Sequence, residues 1–448
     1  MNLRRKSLLT GALSALVAVL ALGSGVLLAG AIAGSGNTIV TVRLWDDKVA
    51  DAYKASFAAF HESNPDITVD VTVIPWSQYW SQLDSDVAAG RADDIFWVNN
   101  SYLPDLAADG RLIDIDQALG ARAKNEWDRA VVREFTRDGV LWGVPQLSDA
   151  GIALYYNKAM LAKAGIDPAA LETATWSTDP AEDTLLPILT ALTHDSSGRA
   201  ATDPAFDGSA VTQFGYNAGN DLQGIILPSI GSNGGTFDAD GAYTFGEERA
   251  AQAIGYQVDL INTHRVAPPA AASNADGDYA RDRFVDGEMA LFQSGLYNLP
   301  YVFEGAEFEW GVASMPAGPS GRVSVTNGIV AAGNAQTAHP QATAKVLQWL
   351  GSTEGNSFVG ASGAAVPGVV DAQQAYFDHW GAKDVDVTKF FEVLADDAPT
   401  ITPPETGNFA EVQAAYGPLL NDVFAGALPV AEGLRQAQDA ANAAVAAK

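Results

Sequence analysis

Three short segments of the sequence combine large aromatic side chains with carboxylates or amides, and each follows a run of residues that reads as a β-strand. The members are Trp45, Asp46, Asp47 and Lys48 in the first segment, Trp76 and Tyr79 in the second, and Trp97, Asn99 and Asn100 in the third. An aromatic ring fits the apolar face of a pyranose, and a carboxylate or amide can hydrogen-bond two neighbouring hydroxyls. These residue types predict a cleft for a sugar or another hydroxyl-rich solute.

The hydrophobic pattern around these segments predicts alternating strands and helices. Strands are predicted at residues 38–44, 67–74 and 94–98, and helices at residues 50–63 and 79–89. Such alternation is typical of a parallel sheet covered on both faces, in which ligands bind outside the carboxyl ends of the strands. The three segments therefore lie where a ligand site is expected.

A second α/β region is predicted from residue 151 onwards, because 448 residues exceed what one hydrophobic core usually holds. It contains helices at 184–192 and 250–261, a hairpin tip at 238–243, and a strand at 289–294 that leads into Tyr297 and Asn298. Further helices are predicted at 342–350, 412–424 and 431–447. An aromatic side chain and an amide thus follow a strand in this region as well.

The first 33 residues have the features of an export segment. Arg4, Arg5 and Lys6 precede an apolar stretch over residues 8–33. The stretch predicts a signal peptide, and it is also long enough for an uncleaved membrane anchor of roughly 20 residues. In both cases the positive residues stay inside, so the body is expected in the periplasm or outside the cell, at the outer face of the cytoplasmic membrane. Ala31 stands where a lipobox would have its cysteine, so no lipid anchor is expected.

Composition excludes several classes of function. The chain has no cysteine, which excludes disulfides and thiol chemistry, and its formal charge of −28 becomes −31 once the three cations of the export segment are removed. A field of this sign repels phosphate backbones, so no nucleic acid partner is expected. Most of the acidity is interpreted as a solvated surface.

Catalytic and metal motifs are weak. The five histidines lack the close spacing of a zinc motif, and no serine lies in a hydrolase elbow. Residues 274–278 resemble only part of a calcium loop. The acidic pairs, Asp46 with Asp47, Asp93 with Asp94 and Asp396 with Asp397, are sequence neighbours, whereas glycoside hydrolysis needs carboxyl groups about 5–9.5 Å apart across a sugar. No enzyme, metal or cofactor is predicted.

Several motifs, in their order and spacing, resemble family 1 extracellular solute-binding proteins, the maltose-binding-protein-like receptors of carbohydrate ABC importers. They are LWDDK at 44–48, GRADDIFWVNN at 90–100, YYNK at 155–158, FVDGEMA at 284–290, SMPAGPSGR at 314–322 and VTNGIV at 325–330. The resemblance covers nearly the whole chain after the export segment.

The resemblance implies an α/β, two-lobed periplasmic-binding-protein-like fold of type II, in which each lobe is a mostly parallel sheet flanked by helices and a hinge joins the lobes. Lobe 1 is assigned to residues 34–147 and 325–370, lobe 2 to residues 148–324, and a helical region that packs on lobe 2 to residues 371–448. Hinge segments are expected near residues 147–154 and 317–324. The implied partners of a monomer are a mono- or oligosaccharide and the membrane subunits of an ABC importer.

The resemblance also extends the set of expected ligand contacts. Tyr297 falls where the family's main stacking aromatic lies, and Phe409 falls near a second stacking position. The full set adds polar residues near the hinge and on the second lobe: Gln146, Asp149, Asn220, Gln223, Asn298 and Asn327. Two alternatives stay open, a receptor for another small solute such as a polyamine, which acidic and aromatic side chains also suit, and an exported glycoside hydrolase.

Overall fold

The computed structural model describes residues 37–148, 150–274, 276–326, 328–394 and 398–447. Its strands, in chain order, are β1 Thr38–Leu44, β2 Ile67–Val73, β3 Ile95–Val98, β4 Thr136–Arg137, β5 Val140–Leu141, β6 Val144–Leu147, β7 Ile152–Asn157, β8 His194–Asp195, β9 Val211–Gln213, β10 Asp238–Ala239, β11 Ala242–Tyr243, β12 Leu291–Gly295, β13 Trp310–Ser314, β14 Ser324–Val325, β15 Ile329–Gly333 and β16 Thr400–Ile401.

Helices connect most of the strands and pack around the larger two sheets, which are described below. In chain order they are α1 Asp47–Ser63, α2 Trp76–Ala88, α3 Leu103–Ala108, α4 Ile115–Leu119, α5 Arg129–Glu134, α6 Lys158–Ala164, α7 Ala169–Glu172, α8 Leu185–Leu192, α9 Leu227–Ser232, α10 Glu248–Asn262, α11 Ala270–Ser273, α12 Tyr279–Val285, α13 Leu299–Gly305, α14 Pro340–Leu350, α15 Thr353–Ser362, α16 Gln374–Gly381, α17 Lys389–Glu392, α18 Phe409–Phe424 and α19 Val430–Ala446. Short 3-10 turns lie at Ala123–Glu126, Leu296–Asn298 and Val370–Ala372, and a π-helical turn lies at Leu222–Ile226.

The first lobe is built on a five-stranded sheet in the order β2-β1-β3-β15-β6. Strand β1 pairs in parallel with β2 and β3, whereas β15 runs antiparallel to β3 and β6. The alternating apolar residues Val40, Val42 and Leu44 of β1 are fully buried, because helices cover the sheet. All strands of this sheet except β15 therefore run in one direction, as predicted for a mostly parallel sheet.

The second lobe is built on a three-stranded sheet in the order β12-β7-β13. Both pairings of the central strand β7 are antiparallel. The prediction of a mostly parallel sheet is therefore wrong for this lobe, although the prediction of a two-lobed α/β fold stands. Strand β12 ends at Gly295, immediately before the 3-10 turn that carries Tyr297 and Asn298.

The chain passes between the lobes more than once. It leaves the five-stranded sheet after Leu147 and enters the three-stranded sheet at Ile152. It leaves that sheet after Ser314 and rejoins the first sheet at Ile329. On this second path β14 pairs in parallel with β16 from the C-terminal part of the chain. These segments are the connections about which the lobes can turn relative to each other.

The C-terminal helices contribute to both cores. Val412, Tyr416 and Leu434 belong to the same buried cluster as residues of the second lobe, whereas Phe409 is buried in the cluster of the first lobe. None of the helices in the described part of the chain combines the length and apolarity that a bilayer crossing requires. The predicted export segment at residues 1–33 lies outside the described residues.

Candidate functional site

The turn after β1 fixes the first group of candidate residues. The Asp46 backbone is extended, and its carboxylate accepts a hydrogen bond of 2.9 Å from the amide of Val49, which caps helix α1. This cap places Asp47 and Lys48 in the first turn of the helix. Trp45 precedes the cap and is half-buried at the end of the strand. The predicted motif is thus a strand-to-helix turn at the carboxyl end of β1.

Trp45 is the centre of an aromatic cluster that joins all three predicted segments. Its ring centroid lies 5.2 Å from that of Trp76, 4.9 Å from Tyr79, 5.5 Å from Trp80 and 5.0 Å from Trp97. Edge-to-face arrangements dominate, as expected for aromatic rings packed at these distances. The three predicted segments therefore lie close together in the structure.

The members of this cluster differ sharply in exposure. Trp76, the first residue of α2, is 48% exposed, whereas Tyr79 and Trp97 are 0% exposed. The Tyr79 hydroxyl donates to the backbone carbonyl of Trp97 at 2.8 Å, and the Trp97 indole donates to the Tyr53 hydroxyl at 3.0 Å. Tyr79 and Trp97 therefore pack behind the exposed side of this cluster, and the expectation that they contact a ligand stays a prediction.

The predicted amide contacts are also turned inward. Asn99 and Gln146 are buried, and the Gln146 side-chain oxygen accepts a hydrogen bond of 2.5 Å from Tyr53. The Asn99 side chain accepts from the backbone amide of Tyr102 at 3.3 Å. Asn100 is fully buried and donates to Glu405 at 3.3 Å. In this structure the three amides stabilise the strand ends of the first lobe, and the expectation that they contact a ligand stays a prediction.

The second lobe presents a different aromatic at its strand end. Tyr297 is 44% exposed in the turn after β12, and Asn298 next to it donates to the Ser294 hydroxyl at 2.8 Å. Asn220 donates to Asn421 of α18 at 2.7 Å, and Gln223 lies at the start of the π-helical turn, where its backbone amide donates to Asp221. Tyr297 is thus the second-lobe counterpart of the exposed Trp76.

The C-terminal segment contributes Glu405, which the sequence did not indicate, and Phe409, which it did. Glu405 accepts hydrogen bonds from Asn100 and, at 2.5 Å, from Arg137. Phe409 packs edge to face on Tyr102 at 5.2 Å and is only 4% exposed, and the expectation that it stacks on a ligand stays a prediction. Asp149 and Asn327, two further predicted contacts, lie outside the described residues.

Asp47 and Lys48 bond to the second lobe. The Lys48 ammonium lies 2.5 Å from the Glu304 carboxylate, and the Tyr301 hydroxyl donates to the Asp47 carboxylate. Tyr301 and Glu304 both belong to α13, which directly follows the turn containing Tyr297. The sequence reasoning missed both residues, although an aromatic and an acid at positions i and i+3 on a helix after a strand end share one face.

Two carboxyl groups near the site have raised pKa values. Burial raises the pKa of Asp46 to about 6, against the opposing effect of the hydrogen bond from Val49. Burial also raises the pKa of Glu134 to about 7, although its carboxylate accepts a hydrogen bond of 2.9 Å from the amide of Gly328. Glu134 thus titrates near neutral pH beside the second connection between the lobes.

Glu134 makes folding stability depend on pH. Its folded-state pKa lies above its ordinary value, so the folded protein binds more protons and the free energy of unfolding falls as the pH rises. We expect Glu134→Gln to remove this part of the dependence, so that the variant gains about 2 kcal/mol on the parent between about pH 5 and about pH 8. Urea unfolding at both pH values measures it. The exposed Glu62→Gln is the control, and parallel pH profiles of parent and Glu134→Gln would contradict the assignment.

The acidic pair Asp93 and Asp94 is bonded within the first lobe. Asp93 pairs with Arg43 at 2.5 Å, and Asp94 accepts from the backbone amide of Thr41 at 2.9 Å, so both carboxylates stabilise the sheet edge. Asp396 and Asp397 lie outside the described residues. Within the described ranges, no group of three or more histidine or acidic side chains is arranged to hold a metal ion.

The two sheets, the repeated crossing between them and the exposed aromatics at their strand ends define a two-lobed solute receptor. The chain belongs to the bacterial extracellular solute-binding protein family, whose model matches residues 46–357. Members of this family bind substrates and are extracellular, in agreement with the receptor predicted from the sequence motifs.

Individual relatives agree with this assignment. The crystal structure of UspC from M. tuberculosis is 52% identical and has a TM-score of 0.72, covering 91% of this chain and 100% of that chain. The ABC substrate-binding protein Lmo0181 from Listeria monocytogenes, solved in complex with cycloalternan, shares the fold at 19% identity with a TM-score of 0.77, covering 91% of this chain and 98% of that chain. A probable ABC transporter-binding protein of Deinococcus radiodurans is 28% identical over 249 residues, which are 53% of this chain and 54% of that protein.

Proposed function

We propose that the chain is an extracytoplasmic receptor that closes around a sugar or oligosaccharide and delivers it to an ABC importer. The observation that carries the proposal is the pair of exposed aromatics, Trp76 and Tyr297, at strand ends of different lobes. Polar groups belong to the same two strand-end segments, with Asp46 next to Trp45 in the first lobe and Asn298 next to Tyr297 in the second. Rings on both lobes can stack on a sugar, and polar groups beside them can bind its hydroxyls.

Relatives of the same fold support this ligand class. The Listeria protein was solved with cycloalternan, and a solute-binding protein from Thermotoga lettingae was solved with alpha-D-tagatose. The Deinococcus relative is described as an ABC transporter-binding protein. A monomer that acts at the outer face of the cytoplasmic membrane, in the periplasm or outside the cell, fits this role, and the export segment is proposed to bring it there.

The mechanism is a shift between open and closed forms. The lobes turn about the connecting segments, and a ligand that contacts both lobes favours the closed form by its differential affinity for that form. The importer then recognises the closed form. No bond of the ligand is made or broken, and the inward-facing carboxylates of Asp93 and Asp94 are in keeping with a receptor rather than a hydrolase.

A ligand screen by tryptophan fluorescence tests the proposal. Because Trp45 and Trp76 lie at the strand ends, we expect a saturable change in emission with at least one sugar in a panel of mono- and oligosaccharides, confirmed by calorimetry. Spermidine, the cationic alternative, is expected to leave the emission unchanged. Binding of spermidine without any sugar would contradict the sugar proposal, as would turnover of a chromogenic glycoside that is lost when a cleft carboxylate is replaced.

A further inference from the structure

Two side-chain bonds join helix α1 of the first lobe to helix α13 of the second. Lys48 Nζ lies 2.5 Å from Glu304 Oε2, and the Tyr301 hydroxyl donates to Asp47. The partners are separated by 256 and 254 residues along the chain. We call these four residues, Asp47, Lys48, Tyr301 and Glu304, the rim contact.

The rim contact lies away from the segments that connect the lobes. Helix α1 follows β1 of the five-stranded sheet, and α13 follows β12 of the three-stranded sheet. The chain crosses between the sheets elsewhere, after Leu147 and again between Ser314 and Ile329. A turn of the lobes about those crossings can therefore break the rim contact without breaking the backbone connection.

Both halves of the rim contact are held in place within their own lobes. The Arg281 guanidinium lies 4.7 Å from the centre of the Tyr301 ring and is itself paired with Asp278 at 2.9 Å and Asp282 at 3.0 Å. On the other side, the Asp46 cap fixes the first turn of α1. Preorganised partners lose little conformational entropy when they meet, which favours their association.

We propose that the rim contact is a latch that stabilises the closed form without the help of a ligand, and that Asp47 and Lys48 act on binding as positioning residues rather than as ligand contacts. The role of the latch in uptake rests on the proposed receptor function, whereas its effect on closure does not. The polar atoms of both residues already bond the opposite lobe in this structure, which is the arrangement that a closing element requires.

The latch is weak enough to be reversible. The side chains of Lys48 and Glu304 are 27% and 59% exposed, so their attraction is screened by water and salt. Exposed pairs of this kind change an equilibrium by about 2- to 5-fold. A latch of this size adjusts the ratio of closed to open forms and leaves the ligand as the main determinant of closure.

Fluorescence energy transfer in the ligand-free protein measures the latch directly. The chain has no cysteine, so one cysteine on each lobe, at the exposed positions Asp70 and Lys163, labels it specifically. The test variants are Glu304→Gln and Tyr301→Phe. Asp116→Asn is the matched control for the ion pair, because it removes the pair with Lys124 inside the first lobe, and Tyr279→Phe is the matched control for the tyrosine.

We expect the closed fraction of the parent to fall between about 0.01 M and about 1 M salt, as the Debye length shortens from about 30 Å to about 3 Å. At low salt, each test variant is expected to lower the ratio of closed to open forms by about 2- to 5-fold, and neither control should change it. Identical distance distributions for the parent, both test variants and both controls would overturn the latch.

Affinity measurements with a sugar test the latch and the proposed function separately. Glu304→Gln should lower the apparent affinity for a sugar that binds the closed form. This loss should equal, as a fold-change, the fall in the closed fraction of the ligand-free protein. A loss of affinity in Lys48→Met with an unchanged ligand-free distribution would instead make Lys48 a ligand contact and overturn the latch. If no sugar binds the parent, the proposed function fails, and the ligand-free measurement still decides the latch.

Discussion

Replacing Trp97 with alanine is expected to lower the free energy of unfolding by about 3–5 kcal/mol, the range for removing a large aromatic from a core. The ring is completely buried between Trp45 and Tyr53, with centroid distances of 5.0 and 6.0 Å, and its indole donates to the Tyr53 hydroxyl. The substitution opens a cavity inside the aromatic cluster around Trp45 and leaves the Tyr53 hydroxyl without its donor. Urea unfolding of the parent and the variant measures the loss.

The exposed neighbour of the same cluster is the control for this prediction. Trp76→Ala removes a ring that is 48% exposed, so its effect on stability should be about 1 kcal/mol or less. Equal losses of stability in the two variants would show that Trp97 is not the buried support described above. The comparison therefore distinguishes the buried aromatic Trp97, which stabilises the fold, from the exposed aromatic Trp76.

The sequence indicated which aromatics lie at the strand ends, but not which of them are buried and which are exposed. The end of a strand can be read from periodicity, so Trp45, Trp76 and Trp97 could be predicted to meet at one edge of the sheet. Which of them faces solvent depends on how helices α1 and α2 cover that edge. In a sheet buried on both faces, strand residues such as Trp97 are enclosed whichever way they point.

The pairing of the second sheet could not be predicted for a related reason. The family resemblance alone predicts a mostly parallel sheet for this lobe, and no local pattern in the sequence gives the direction of β7. Its partners β12 and β13 come more than 130 residues later and run antiparallel to it, as Leu291 pairs with Tyr156 and Trp310 with Asn157. Local patterns determine that a strand forms, whereas its direction in the sheet depends on the path of the chain between strands.

Contacts between the lobes were the least accessible to sequence reasoning. Asp47 and Lys48 were recognised as polar residues at a strand end, but their partners lie in a helix more than 250 residues away. Glu405, which joins Asn100 and Arg137, lies in a segment with no ligand motif. The domain boundaries and the set of ligand contacts stay predictions.

Trp76→Ala and Tyr297→Ala are each expected to weaken sugar binding by about 1–3 kcal/mol, which is a loss of about 5- to 150-fold in affinity. Both rings are about half exposed at strand ends of different lobes, so each offers a stacking face that bound sugar can cover. The loss should appear mainly in the dissociation rate, because the rings hold the ligand after the lobes have met. Titration calorimetry and stopped-flow fluorescence with the best sugar of the panel measure both quantities.

A matched substitution shows whether these losses are specific. Phe377 on α16 is 36% exposed and packs on Tyr376 and Phe391 rather than on the strand-end aromatics, so Phe377→Ala removes a comparable aromatic surface and should leave affinity unchanged. Conversely, Trp76→Phe and Tyr297→Phe keep a stacking face and should retain most of the binding. Parental affinity in both alanine variants would move the sugar site away from these rings. A loss in Trp76→Ala alone would instead confine the stacking surface to the first lobe, with the second lobe closing over the ligand through polar contacts.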